Sequence, residues 1–300
     1  MSESLLVEQL QQLCDKAIQA AQEAGQFIQS VDRNAVQRKF KEAGSSEASQ
    51  IVTEVDVRSE AIIRENLREI SQQCNIAFVG EESSPKATGT TSDLMSERLL
   101  KPYFWCVDPL DGTLPFVEGR PGYAVSIALV EQSGKPLIGV VYDPVESTLM
   151  HAIRGQGVYR DLVPPSRVTL TSKTLVVFAD TSFKTHENYD RALDTLNACA
   201  QNFGLDDLTF VYGSGAVKNA CQVLDYSAAC YVKLPKAEDG GGSIWDYAAT
   251  ACIVSEAGGW ASNIHGKQLD LNRKGSTFMN HQGVIYASSE PIARYLIEAL

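Results

Sequence analysis

Two carboxylates stand three residues apart in Trp105-Cys106-Val107-Asp108-Pro109-Leu110-Asp111-Gly112-Thr113. Such a pair offers hard oxygen donors, the kind a hard cation takes as ligands. Pro109 stiffens the backbone between them and removes a donor, and Gly112 lets the chain approach a ligand closely. A plain surface turn uses the same residue types, so the stretch alone is compatible with either. Two further acidic features share its context. Glu81 and Glu82 follow the apolar run Ile76-Ala77-Phe78-Val79, and Asp246 follows Gly240-Gly241-Gly242. Glu82 reads as a solvated side chain. Asp246 reads either as the last member of a capping box begun by Ser243 or as a ligand, and Asp56 has the same double reading with Thr53.

The donor set is all oxygen. The four histidines, at 151, 186, 265 and 281, show no HxxxH spacing, and no cysteines are paired as CxxC, which argues against zinc. An EF-hand is excluded as well, because the twelfth position counted from Asp108 is Gly119 rather than Glu.

The elements that must carry these groups follow from periodicity. Leu6, Leu10, Leu13, Ala17, Ala20, Ala24 and Phe27 share one face of a first helix. A polar stretch containing Gly44-Ser45-Ser46 reads as a mobile loop, and Ile63, Leu67 and Ile70 mark the inner face of a second helix. Residues 76–79 and 103–107 read as buried strands, each ending at its acidic residues. Strands over 123–130, 137–142, 148–153 and 158–159 form a meander. After Pro164-Pro165 the pattern alternates: strands at 175–179, 208–212, 228–234 and 283–288, and helices at 188–202, 215–224, 247–257 and 291–300. A run of strands followed by this alternation is a composite α/β architecture. Acidic residues at the carboxyl ends of strands lie where α/β proteins build ligand sites.

Composition narrows the partners. A formal charge of −11 with no Lys/Arg block argues against a nucleic-acid polymer, and an acidic chain that binds a phosphorylated ligand needs a metal or local bases to offset repulsion. Seven scattered cysteines fit reduced thiols and a cytoplasmic setting. No signal-peptide pattern is present, and no apolar run reaches the ~18 residues of a membrane span.

The motifs together resemble the inositol monophosphatase superfamily, which includes inositol monophosphatases, CysQ-type 3′(2′),5′-bisphosphate nucleotidases and, more distantly, fructose-1,6-bisphosphatases. The resemblance is carried by Val52-Thr53-Glu54-Val55-Asp56, Gly80-Glu81-Glu82-Ser83, Asp108-Pro109-Leu110-Asp111-Gly112-Thr113, and Ile244-Trp245-Asp246-Tyr247-Ala248-Ala249 continuing to Glu256-Ala257-Gly258-Gly259. It implies a five-layer αβαβα sandwich, with an N-terminal α+β half over 1–165 and a C-terminal α/β half over 166–300. It implies Mg²⁺ held by Glu81, Asp108, the carbonyl of Leu110, Asp111 and Asp246, as two or three ions, with Li⁺ as inhibitor. It also implies that Asp56 and the Thr113 hydroxyl orient an attacking water, and that Gly112 and Thr113 receive the substrate phosphate. Homodimers are common in the family.

The substrate is a small phosphate ester. Leu110, Gly122-Tyr123-Ala124-Val125 and Tyr231-Val232-Lys233-Leu234-Pro235 resemble the nucleotidases, which favours 3′-phosphoadenosine 5′-phosphate. Leu114-Pro115 matches neither the Thr-Asn of the inositol enzymes nor the Lys-Glu or Lys-Gly of the nucleotidases. Inositol or another sugar phosphate is the second expectation, and a catalytically silent ligand sensor the third. Candidate substrate contacts are Ser214 and Gly215 before a helix and Asp239 beside the glycine run. Lys218 and Lys233 are candidates for a second phosphate. Asn at Asp111 is expected to abolish turnover and leave the fold intact.

Overall fold

The computed structural model describes residues 5–32, 39–40, 51–52, 54–84, 96–164, 173–240 and 242–300. The stretch 42–50, read above as a mobile loop, lies outside them, as does Thr53. In chain order the elements are α1 (Val7–Ser30), the short strands β1 (Lys39–Phe40) and β2 (Ile51–Val52), α2 (Glu54–Gln73), β3 (Ile76–Gly80), α3 (Glu97–Leu100), β4 (Tyr103–Asp111), α4 (Thr113–Val117), β5 (Ala124–Glu131), β6 (Pro136–Asp143), β7 (Thr148–Ile153) and β8 (Val158–Arg160). They are followed by β9 (Thr174–Ala179), α5 (Tyr189–Asn202), β10 (Asp207–Tyr212), α6 (Ala216–Gln222), β11 (Ala229–Lys233), α7 (Ile244–Glu256), β12 (Trp260–Ser262), β13 (Val284–Ala287) and α8 (Glu290–Ala299).

The strands form two large sheets. A six-stranded sheet has the order β3-β4-β5-β6-β7-β8, and a five-stranded sheet has the order β10-β9-β11-β13-β12. In the first, only β3 and β4 run parallel. In the second, β9, β10, β11 and β12 share one direction, and β13, between β11 and β12, runs antiparallel to both.

Apolar faces stack these sheets into five layers. Leu13, Ala17 and Ala24 of α1 and Ile63 and Leu67 of α2 pack on Trp105, Val107, Ile127 and Val140 of the first sheet. Its opposite face, with Phe104, Cys106 and Ala128, meets α6 and α7 through Val217, Ala220, Ala248 and Ile253. Those helices also rest on Val176, Phe178, Tyr231 and Tyr286 of the second sheet. Leu196 of α5 and Ile292 and Leu296 of α8 close its outer face over Leu175, Val177 and Ile285. The αβαβα order expected from the resemblance is therefore observed. Helix α7 is sandwiched between sheets, which explains why nine of its thirteen residues are buried and why its apolar positions are not confined to one stripe.

Two boundaries differ from the sequence reading in ways that matter for the site. Strand β4 does not stop at Val107 but runs to Asp111, and its register against β5 slips between Asp108 and Asp111. Pro109 sits in that irregularity, where its missing N–H removes no ladder bond. Helix α7 begins at Ile244, three residues earlier than periodicity suggests, so Asp246 is inside its first turn.

Candidate active site

The irregular end of β4 turns the two carboxylates of the opening motif inward. Asp108 and Asp111 are both buried, and one carboxylate oxygen from each lies within 4.8 Å of the other and of Asp246. Each carboxylate is oriented by backbone amides. Asp108 Oδ1 accepts the Leu110 N–H at 3.1 Å. Asp111 accepts the N–H groups of Ala216 and Val217, at 3.0 and 2.9 Å, at the start of α6. Asp246 accepts the Ser243 N–H, closing the capping box that the sequence offered as its alternative reading. Capping and ligation are compatible, because a carboxylate has about four lone-pair sites and these bonds use only one or two.

Like charges in so small a volume raise one another's proton affinity. Burial pushes Asp111 well above the usual carboxylate range, and the charges of Asp246 and Glu81 push the same way against the pull of the α6 amides. Burial and then Glu81 raise Asp246 to about 7, with the Ser243 amide and Lys233 pulling down. Glu81 thus acts on the cluster electrostatically although it stands outside the three oxygens grouped most closely. Its backbone is fixed by an N–H bond to the Val107 carbonyl at 3.1 Å, which continues the pairing of β3 with β4. A divalent cation among these oxygens cancels the repulsion, and an all-oxygen donor set suits Mg²⁺. The residues fit such an ion.

Asp56 lies one helix over, 1% exposed on α2, and its Oδ1 accepts the Thr113 hydroxyl at 2.9 Å. The same hydroxyl is 3.2 Å from the Leu110 carbonyl. Thr113 can reach both because Gly112 adopts a left-handed φ of 86° and opens α4 there. A Cβ at Gly112 would sit 2.6 Å from the Gly122 carbonyl, so both conformation and space require glycine.

The other expected site residues are less uniform. Gly215 packs directly on the Asp111 carboxylate, where a Cβ would come within 2.2 Å, and Ser214 beside it is half-buried against Gly122. Asp239 is exposed. Its neighbour Glu238 instead lines a cavity of about 370 Å³, with Asp180, His186, Lys233, Lys236, Tyr247 and Asn280 on the walls. The two lysines considered for a second phosphate already hold carboxylates: Lys218 pairs with Asp143, and Lys233 with Asp180 at 2.6 Å. Asp111, by capping α6 with both oxygens, has a structural duty as well. Asn at that position keeps only one acceptor, so a clean test of ligation belongs at Asp108.

Asp180 was missed in the sequence, yet it directly follows β9 just as Glu81 follows β3. The same strand-end rule would have found it. Its Oδ1 also lies 3.3 Å from the Tyr231 hydroxyl.

A sandwich of this order, with a carboxylate cluster between its sheets and a hydroxyl–carboxylate pair beside it, defines a metal-site hydrolase scaffold. The Inositol monophosphatase family matches residues 9–299, and the chain belongs to that family. It is 32% identical to Inositol monophosphatase 2 of Solanum lycopersicum over 88% of this chain and 92% of that protein. It is 30% identical to the 3′(2′),5′-bisphosphate nucleotidase CysQ of Salmonella typhimurium over 90% of this chain and 96% of that one. Among solved structures, the extragenic suppressor protein suhB of Bartonella henselae superposes with a TM-score of 0.67 at 25% identity, covering 96% of this chain and 98% of that one. The protein is a hydrolase of phosphate monoesters. Among the described residues, no helix is long and apolar enough to cross a membrane.

Proposed function

We propose that the chain is a Mg²⁺-dependent 3′(2′),5′-bisphosphate nucleotidase that converts 3′-phosphoadenosine 5′-phosphate to AMP and phosphate. The observation that supports this reading is the cavity of about 370 Å³ whose wall carries Asp180 and Lys233, two charges that act on Asp246 of the carboxylate cluster. It has room for a leaving group larger than a sugar ring, and Lys233 and Lys236 on its wall suit a second anionic group. Burial and the nearby Lys233 lower the proton affinity of Lys236, an environment that an added phosphate would relieve. Lys233 shares its charge with Asp180, and Lys236, beside Lys233 on the same wall, is the contact we assign to that phosphate.

In this reading Glu81, Asp108, the Leu110 carbonyl, Asp111 and Asp246 hold the metal. Bound Mg²⁺ supplies charge stabilisation for the phosphoryl oxygens and a more acidic water. Asp56 holds the Thr113 hydroxyl so that its oxygen lone pairs face the attacking water and align it. Gly112 and Thr113 receive the phosphate undergoing attack. Ser214 and Gly215, beside Asp111 and Gly122, are further substrate contacts, and on the cavity wall the acidic contact is Glu238 in preference to Asp239. Inhibition by Li⁺ and a cytoplasmic setting follow from the family likeness and from the seven free thiols. A homodimer is proposed on the family likeness alone and is checked by light scattering.

Inositol monophosphatase is the second reading, favoured by the 32% identity to the Solanum lycopersicum enzyme. Phosphate release from 3′-phosphoadenosine 5′-phosphate and from inositol 1-phosphate, each with and without Mg²⁺, separates the two. The nucleotide is expected to turn over faster by about tenfold or more, the equivalent of one retained charge-assisted hydrogen bond. A faster rate on inositol 1-phosphate favours the second reading, and negligible rates on both reject both.

A further inference from the structure

A second buried carboxylate on α2 stands one turn after Asp56 and takes no part in the site described so far. Glu60 is 4% exposed. Its Oε2 accepts the Glu82 N–H at 2.8 Å. A Cβ at Gly80 would lie 2.2 Å from the same oxygen, so the backbone on both sides of Glu81 rests against one carboxylate. Arg64, a further turn along α2, lies 3.5 Å from Glu60 Oε1 and donates to the Ser83 hydroxyl at 2.6 Å. Its guanidinium stacks over the Phe78 ring at 4.0 Å, which ties it to β3 as well. With the Glu81 N–H bonded to Val107, the turn is held before, at and after Glu81.

We propose that Glu60 is a positioning residue that aims Glu81 at the metal site, so that α2 sets both the water-orienting Asp56 and the Glu81 side of the cation. The inference rests on the metal reading above. The geometry favours it over a purely structural role because the contacts converge on one four-residue turn whose only assigned function is to present Glu81. A neutral or apolar residue would suffice to pack there, whereas an acceptor for the Glu82 amide requires an oxygen. Hydrogen-bond partners one step removed from a metal ligand commonly change metal affinity by about 10–100-fold when lost.

The test is a Mg²⁺ titration followed by melting temperature and, in parallel, by activity, on the full chain and on Glu60→Ala and Glu60→Gln. Glu60→Ala is expected to need about 10–100-fold more Mg²⁺ for half of the thermal shift, with kcat at saturating Mg²⁺ near that of the parent. Glu60→Gln keeps an oxygen for the Glu82 amide and is expected to recover most of the affinity. If Glu60→Ala does not fold, Glu60→Asp withdraws the carboxylate by one methylene and is expected to raise the half-saturating Mg²⁺ in the same way. A variant with a lower metal-free melting temperature but an unchanged half-saturating Mg²⁺ overturns the positioning role and leaves the metal reading standing. A parent protein with no Mg²⁺-dependent shift overturns the metal reading and this inference with it.

Discussion

A buried carboxylate cluster and a partly buried ion pair sit side by side in this protein and solve the same electrostatic problem in opposite ways. Asp108, Asp111 and Asp246 bring like charges together, and burial raises both Asp111 and Asp246. Asp180 and Lys233 bring opposite charges together at 2.6 Å. There, burial acts to lower the lysine but the Asp180 carboxylate outweighs it, and the ammonium is held well above its usual range. One cluster is balanced by the chain itself. The other is balanced only by a proton or a cation from outside, and that dependence separates a site for chemistry from a structural ion pair.

Substitutions should therefore divide along the same line. The largest effect is expected from Asp108→Asn, which keeps the oxygen that accepts the Leu110 amide and removes a charge from the cluster. Its kcat should fall by roughly 10²–10³-fold or more with little loss of stability, measured by phosphate release and by urea unfolding. In the balanced cluster, Lys233→Met should instead cost about 3 kcal/mol of stability by stranding Asp180, and adding Asp180→Asn should recover much of it. If the single Lys233→Met change proved neutral in unfolding, the contrast would fail. Thr113→Val keeps the shape but takes the donor from Asp56. It should lower kcat by about 10²-fold at a stability cost of about 1 kcal/mol.

Removing the metal sharpens the comparison through pH. The folded-state value for Asp246 is raised from 3.8 to about 7, so its neutral form stabilises the metal-free protein fully below about pH 4. That contribution is lost as pH rises through about 7. With chelator present, the melting temperature should fall over that interval, and the gain on adding Mg²⁺ should grow with pH. A Mg²⁺ shift that shrinks as pH rises would contradict the assignment. The smallest effect is expected at the cavity. Glu238→Gln should raise KM by about 2–10-fold, whereas Asp239→Asn, off the cavity wall, should leave it unchanged.

The sequence made much of this legible because the site is built from short local motifs. The strand-end acids Glu81 and Asp108 and the Asp246 helix follow from runs of a few residues, and the layer order is implied by the family likeness that those motifs carry. What it hid depended on pairing across distance. The slip in β4 that brings Asp108 and Asp111 inward arises from register against β5, which no single strand displays. Lys218 and Lys233 look like available cations in the chain, and only the fold sets them against Asp143 and Asp180. Asp239 and Glu238 are adjacent and chemically alike, and the direction of one loop decides which faces the cavity.

The bonds from Asp111 to α6 join residues 105 and 106 positions apart, and the Gly122 carbonyl takes the Gly215 N–H close by. Contacts of such long sequence separation carry a large loop-closure cost and tend to form late on the way to the native state. The carboxylate at the heart of the cluster is thus also the clasp that fastens the end of the first sheet to the central helices. Recovery of phosphatase activity during refolding should follow the slowest kinetic phase, lagging behind the return of helical signal and marking the moment at which the chain is fully assembled.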